Sequence, residues 1–417
     1  MNRPFIGFRT GTPYSGPGTA IPDTSNLAGT PVFKPAGGVL LMGGDSGALG
    51  AARSLGREGI EVRFLAGPNR LAAFSRYVVN VPGWPGAEAA GALQWLEDYA
   101  HRAGTKGWVI IPAGDSEVRL VTNNHSQLSE LFRLTTPPWA VTQFAGDKQL
   151  TYARAAELGL GHPLTYKLND RAAAEQAALV YPLILKPAMK EGINALTIAK
   201  AWRADDRAQF LGLFDEALAL AGAGGLIVQE LIPDDGSNQF SYCAFCDRGE
   251  PLVVMSARRT RQSPRKAGTG TFVETLGPQA FEEDAAAFLR TLEYTGLVEI
   301  EFMRDPRDGS FRLIDVNPRI WTWHMLGIPA GVNFALAAWR HANGLPVPRQ
   351  RAAGGHSWLY LLRDLPSALA NIREGALSPV TFLHQALGAS CRATTAWDDP
   401  LPSIAAIPSG IMRRLRR

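Results

Sequence analysis

The run Val298-Glu299-Ile300-Glu301-Phe302 sets two carboxylates two residues apart among branched and aromatic side chains. A strand has a side-chain period of two, so Glu299 and Glu301 share one face. The run 311–316 reads as its hairpin partner across the polar turn 305–309, and there Asp315 and Asn317 share a face by the same rule. Oxygen-bearing side chains crowded on one patch of sheet repel each other unless a cation lies between them. Magnesium with nucleotide phosphates would neutralise the patch, since Mg²⁺ takes oxygen ligands. The plainer alternative is a solvated acidic face balanced by nearby Arg and Lys. Pro318-Arg319 follows at once and brings a guanidinium to the edge.

Three further segments matter in company with this one. Lys186 is embedded in the apolar run 183–187, where an ammonium is costly without an anion, although a lysine reaching out to solvent satisfies the pattern equally. Lys190–Asn194 is a glycine-bearing loop between apparent strands, able to lay N–H groups over phosphates or to serve as a plain turn. Arg258-Arg259-Thr260-Arg261, then Arg265-Lys266, leads into Gly268-Thr269-Gly270-Thr271, read as a loop. No aromatic platform is interleaved with these cations, so they suit phosphate or carboxylate recognition better than single-stranded nucleic acid. The phosphate-loop motif G-x-x-x-x-G-K-[ST] and the kinase H-R-D and D-F-G pair are absent.

The elements that must hold these residues fall into two patterns. Strand 39–42, a glycine turn, helix 48–58 and strand 62–65 imply a parallel α/β sheet, with a further strand at 108–112. A dinucleotide fingerprint is excluded because Asp45 stands where the second glycine belongs, which leaves Gly47 and Gly50 to close packing. Asp115 either touches substrate or caps a helix. From Gly146 the pattern becomes mixed: a helix to Leu158, strands 183–187 and 225–231, and two antiparallel pairs, 240–245 with 252–257 and 298–304 with 311–316. We therefore expect residues 1–36 as a flexible leader, 37–145 as one domain, 146–345 as a second, and 346–417 as a helical region with a basic end at Arg413–Arg417.

Composition narrows the setting. In a chain of 417 residues, 46% apolar and 19% charged residues indicate a globular protein of two to three domains. A net charge of +4 suits anionic small molecules without demanding nucleic acid. Cys243, Cys246 and Cys391 cannot build a disulfide framework; with no further zinc ligands nearby, Cys243 and Cys246 read as buried strand residues. No apolar run is long enough to span a bilayer, and no signal core leads the chain, so a cytoplasmic setting is expected.

With these residues in place, the chain resembles the ATP-grasp superfamily over roughly residues 38–345, with a Rossmann-like pre-ATP-grasp domain, an ATP-grasp fold of two α+β subdomains and a helical C-terminal region, α/β and α+β in class. The resemblance implies that Lys148 and Lys186 contact nucleotide, that the backbone and glutamate of Gln229-Glu230-Leu231 hold adenine, and that Asp234 or Asp235 holds ribose. It implies that Glu301, Asp315 and Asn317 ligate magnesium, with manganese as an alternative, and that Arg319 stands near the reacting group. Arg258–Arg261 with Gly268–Thr271 looks most like carboxylate–amine ligases of the D-aspartate ligase kind. Their chemistry would be attack of a carboxylate on ATP to give an acyl phosphate and ADP, then displacement of phosphate by an amine. Arg259, Arg261 and Arg319 would orient the carboxylate. Trp321 and Trp323 are candidates for an acceptor-pocket wall or for core, and His324 for a base. The rival readings are a catalytically silent ATP-binding regulator and a membrane-peripheral ligase acting on a sugar or lipid-linked amine. Small-molecule acid and amine partners, no nucleic acid and a homodimer are the expected associations.

Overall fold

Four fully buried residues, Val39-Leu40-Leu41-Met42, form β1 at the centre of a parallel sheet. The structure, a computed structural model, describes residues 37–189, 194–222, 224–234, 236–264 and 268–407. The leader 1–36, most of the Lys190–Asn194 loop, Asp235, Arg265-Lys266 and the basic end lie outside the described residues. Around β1 run β2 (Val62–Leu65), β3 (Val79–Asn80), β4 (Val109–Pro112) and β5 (Arg133–Leu134), in the order β3-β2-β1-β4-β5, all parallel. Alternate residues of β1 enter different cores. Val39 and Leu41 pack with Leu49 and Ala52 of the helix Ser46–Arg57, and Leu40 and Met42 with Leu96 and Ala100 of the helix Ala92–Arg102. Burial on both faces is what an uninterrupted aliphatic run requires.

A second sheet of β6 (Thr165–Tyr166), β7 (Leu183–Pro187), β8 (Trp202–Ala204) and β9 (Leu226–Glu230) is antiparallel, ordered β6-β9-β7-β8. Leu183, Leu185, Leu226 and Val228 face the helix Arg207–Ala221 in one core. Ile184 pairs with Gln229 and Lys186 with Ile227, so Lys186 and Gln229 lie on the other face.

The third sheet contains β10 (Gln239–Asp247), β11 (Glu250–Ser263), β12 (Thr269–Leu276), β13 (Gly296–Arg304), β14 (Phe311–Asn317), β15 (Gln350–Arg351), β16 (Ser357–Leu359) and β17 (Cys391–Arg392). Its order is β14-β13-β10-β11-β12-β16-β17, with β15 against β11. Gly270 and Thr271 therefore sit in a strand and not in the expected loop. The stretch after Asn194 is likewise helical at Ala195–Ala199, where a strand was expected. Cys243 and Cys246 are buried, unbridged residues of β10, as expected. Beyond residue 346 the helices Leu361–Arg373 and Pro379–Gly388 supply the helical region, but β15 to β17 also extend the large sheet into it.

Candidate active site

The hairpin β13–β14 pairs Glu299 with Asn317 and Glu301 with Asp315, so the four oxygen-bearing side chains share a face as the period-two reading requires. A bulge after Glu301 breaks the register beyond the cluster. Asn317 Nδ2 donates to Glu301 Oε1 at 2.9 Å and to Glu299 Oε2 at 3.3 Å. Arg259 reaches across from β11 and forms ion pairs with both Glu299, at 3.1 Å, and Glu301. Ser241 Oγ donates to Glu299 at 3.0 Å. Burial pushes the Glu299 carboxyl above its ordinary value, against the opposing pull of Arg259. The repulsion inferred from sequence is thus relieved by protein cations: Arg259 at one end and Lys148, bonded to Asp315, at the other.

Lys148 owes its place to a helix start. Asp147 caps the helix Lys148–Glu157 by accepting from the Gln149 amide at 2.8 Å, and the Lys148 amide donates to Ala188 O at 3.2 Å just past β7. One turn on, Tyr152 receives a hydrogen bond from Lys186 Nζ at 3.0 Å and donates to Ile314 O at 2.9 Å. Lys186 is accordingly a buried, bonded lysine, joined through Tyr152 to the backbone next to Asp315. Tyr152 was not singled out in the sequence; its position four residues after Lys148, on the same helix face, was the available signal.

Arg319 bonds Asp115 and Asn317 Oδ1, the latter at 3.3 Å. Asp115 is the first helical residue after the cap position Gly114, and its side chain serves Arg319. The segment after β14 is held close to the parallel-sheet module by glycine. A Cβ on Gly47 would come within 2.8 Å of Trp321 O, and one on Gly50 within 2.5 Å of Met325 Cγ. These glycines therefore admit the Ile320–Met325 segment against the helix Ser46–Arg57, a contact with β14's continuation where sheet packing was expected. Between the two modules lies a solvent-open cleft bordered by Asp115, Arg119, Trp139, Lys148, Asp315 and Asn317.

The remaining expected residues divide. Gln229 is buried and its Oε1 finds no hydrogen-bond partner among the described residues, an acceptor facing the same way as Lys186. Glu230 is already engaged, accepting from the Leu164 amide at 2.9 Å and pairing with Arg307 at 2.8 Å, and the Leu231 amide donates to Pro182 O at 2.8 Å. Asp234 accepts from the Gly236 amide at 2.6 Å and from Gln239 at 3.2 Å. Arg261 departs from expectation: its guanidinium is held by the fully buried Asp364, at 2.7 Å, and by Gln385, over the rings of Phe272 and Phe382. Trp321 and Trp323 both enter the core, 5.9 Å apart edge to face, because their segment is a turn and not a strand. His324 is buried with Nδ1 3.2 Å from Trp321 O, and burial lowers its pKa to about 4, which suits a core residue and not a base in the cleft.

A metal fits the donor chemistry: two partly exposed carboxylates, Glu301 and Asp315, with the amide oxygen of Asn317, form an all-oxygen set. Among the described residues no three His, Cys, Asp or Glu side chains group as a metal cage. Magnesium suits such a sparse set, since it keeps waters and phosphate oxygens as its other ligands.

Residues 148–350 match the family described as the ATP-binding domain of the carbamoyl-phosphate synthase L chain. The chain is 24% identical over 299 residues to a D-aspartate ligase of Enterococcus faecium, covering 67% of this chain and 70% of that protein. In fold it is similar to the biotin carboxylase domain of Hydrogenobacter thermophilus 2-oxoglutarate carboxylase, solved with MgADP and bicarbonate, at 16% identity and a TM-score of 0.60 over 76% of this chain and 73% of that one. It is also similar to an L-amino acid ligase of Bacillus licheniformis, at 16% identity and a TM-score of 0.56 over 74% and 75% of the two chains.

Proposed function

We propose that this chain, which carries an ATP-grasp domain over residues 148–350, is an ADP-forming ligase that joins a carboxylate to an amine through an acyl phosphate. The observation that supports this best is the oxygen set of Glu301, Asp315 and Asn317 on one sheet face, bounded by Arg259 and Lys148 and opening on the cleft. When bound there, magnesium would screen phosphate charge and polarise the γ-phosphoryl group.

Lys148 and Lys186 hold phosphate oxygens in this reading. Lys148 exchanges Asp315 for phosphate, and Lys186 is kept in place by Tyr152. Gln229 Oε1 offers an acceptor to the adenine amino group; Asp234 is the ribose candidate among the described residues. A substrate carboxylate in the cleft attacks the γ-phosphorus, the bond to the β,γ-bridging oxygen breaks, and ADP leaves. An uncharged amine then attacks the acyl carbon, inorganic phosphate departs with the former carboxylate oxygen, and the amine loses a proton to solvent. Arg319, fixed by Asp115 and Asn317, stabilises the developing oxyanion. Arg259 sets the carboxylates of β13 in place, and Arg261 positions the C-terminal helices through Asp364.

The test is release of ADP on adding pairs from a panel of amino acids and other carboxylates with amines, followed with ¹⁸O-labelled carboxylate. Transfer of one label into inorganic phosphate supports the acyl phosphate. ATP binding without carboxylate-dependent ADP release across the panel supports the silent-regulator reading.

A further inference from the structure

Six carboxylates are buried among the described residues: Glu117, Glu230, Glu299, Asp305, Asp364 and Asp399. Five of them hold an arginine. Glu230 and Asp305 share Arg307, Glu299 has Arg259, Asp364 has Arg261 and Asp399 has Arg53. Glu117 pairs with no cation among the described residues. Its carboxyl receives the Ser116 hydroxyl at 3.0 Å and its own amide, and the charged groups that act on it, Asp115 and Glu88, are both acids. The arginines of the neighbouring turns are engaged elsewhere, Arg363 on Asp45 and Arg319 on Asp115. Burial without a counter-charge is costly for a carboxylate, and here it pushes the carboxyl above its ordinary range.

The place of Glu117 in the fold points to what supplies that charge. In the order β3-β2-β1-β4-β5 the chain passes from β1 to β2 on one side and comes back as β4 on the other. The crevice between the ends of β1 and β4 is therefore the switch point, where open parallel sheets take ligands. Three glycines bring the carboxyl to that edge: a Cβ would lie 2.3 Å from its Cδ on Gly43, 2.1 Å from Oε2 on Gly114 and 3.3 Å from Oε1 on Gly67. Gly67 and Gly114 are only half-buried, so the carboxyl lies one glycine beneath the surface. Asp115, two residues before it, borders the active cleft and bonds Arg319. No metal cage of acids, histidines or cysteines surrounds Glu117 among the described residues. A single carboxylate with one hydroxyl beside it suits a cation that brings its own hydrogen bonds, and an ammonium brings three donors.

We infer that Glu117 binds the ammonium group of the carboxylate substrate, so that the acid this chain activates is an amino acid. Its amino group is held at the switch point while its carboxylate reaches Arg319. Naming the ligand a substrate rests on the ligase reading proposed above; the binding of an ammonium compound at Glu117 does not.

Calorimetric titration of the full chain, with magnesium and a non-hydrolysable ATP analogue present, tests this with a panel of D- and L-amino acids and their N-acetyl derivatives. At least one amino acid should bind, its N-acetyl derivative should bind at least about tenfold more weakly, and potassium chloride should not displace it. Glu117→Gln keeps the shape of the side chain. It should bind the nucleotide analogue as wild type does and lose at least about tenfold in amino-acid affinity. Should that variant misfold, the N-acetyl comparison on the wild type decides alone. Equal affinity for free and acetylated forms, unchanged affinity in folded Glu117→Gln, or displacement by potassium overturns the inference. So does a wild type that binds no amino acid of the panel, and its response to the nucleotide analogue then shows whether the ligase reading falls with it.

Discussion

Lys148 Nζ donates a hydrogen bond to Asp315, joining the first turn of one helix to a strand 167 residues further along the chain. In the proposed reaction this ammonium passes from carboxylate to phosphate. Lys148→Ala should weaken nucleotide binding by about tenfold or more, the equivalent of one lost charge-assisted bond. Titration calorimetry with an ATP analogue and magnesium checks it; unaltered affinity would remove Lys148 from the site.

Arg259 is the counter-charge of a buried carboxylate. Arg259→Met strands Glu299, whose side chain is 4% exposed, and should cost about 3–5 kcal/mol of stability. Adding Glu299→Gln should recover part of that loss, because the uncompensated charge is then gone. Urea unfolding of the two variants measures the difference.

His324 is neutral in the fold at pH values where an ordinary histidine takes up a proton. Its folded pKa of about 4 lies below the ordinary 6.5, so the unfolded chain binds more protons between these limits and stability falls as pH drops through the window. The loss is on the order of 3 kcal/mol from this residue, complete near pH 4. Denaturant unfolding at pH 7 and pH 4 should show a smaller fall for His324→Asn than for wild type.

Gly43 sits at a φ of 62°, and a Cβ there would meet Glu117 Cδ at 2.3 Å. Gly59 has a φ of 75° with open space around its Cβ position. Gly43→Ala should therefore cost about 3 kcal/mol or more, and Gly59→Ala about 1 kcal/mol. Burial raises the Glu117 carboxyl above its ordinary range, and its tight seat among Gly43, Gly67 and Gly114 explains why a glycine follows each of β1, β2 and β4.

Arg261 and Asp364 act as a pair in this account, distant in role from Arg319. Arg261→Gln should lower stability by about 3–5 kcal/mol while leaving the pH profile of any ADP release unchanged. Thermal unfolding beside that profile separates a positioning arginine from one that touches substrate.

The acidic hairpin was legible because its logic is local: Glu299, Glu301, Asp315 and Asn317 need only the period of two and one turn to share a face. What neutralises them was not, since Arg259 arrives from β11 across β10 and only the sheet order brings it there. Gly270, read as loop-forming, is instead a residue of β12, where a Cβ would crowd Val273 Cγ2 at 3.0 Å. Asp115 looked like a cap because a short acidic residue opens a helix; its bond to Arg319 spans 204 residues. Trp321 and Trp323 could not both be assigned to the core while their segment was taken as strand-like, and the turn after β14 removes that constraint.

Thermal unfolding with magnesium and a non-hydrolysable ATP analogue, for wild type and for Asp315→Ala/Asn317→Ala, tests the proposed nucleotide site most directly. Ligand at about 100 times its Kd should stabilise the wild type by roughly 2.7 kcal/mol, only when magnesium is present, and should leave the folded double variant unshifted. A folded wild type that does not respond, or a double variant that responds equally, would contradict the assignment of Asp315 and Asn317 to a metal–nucleotide site.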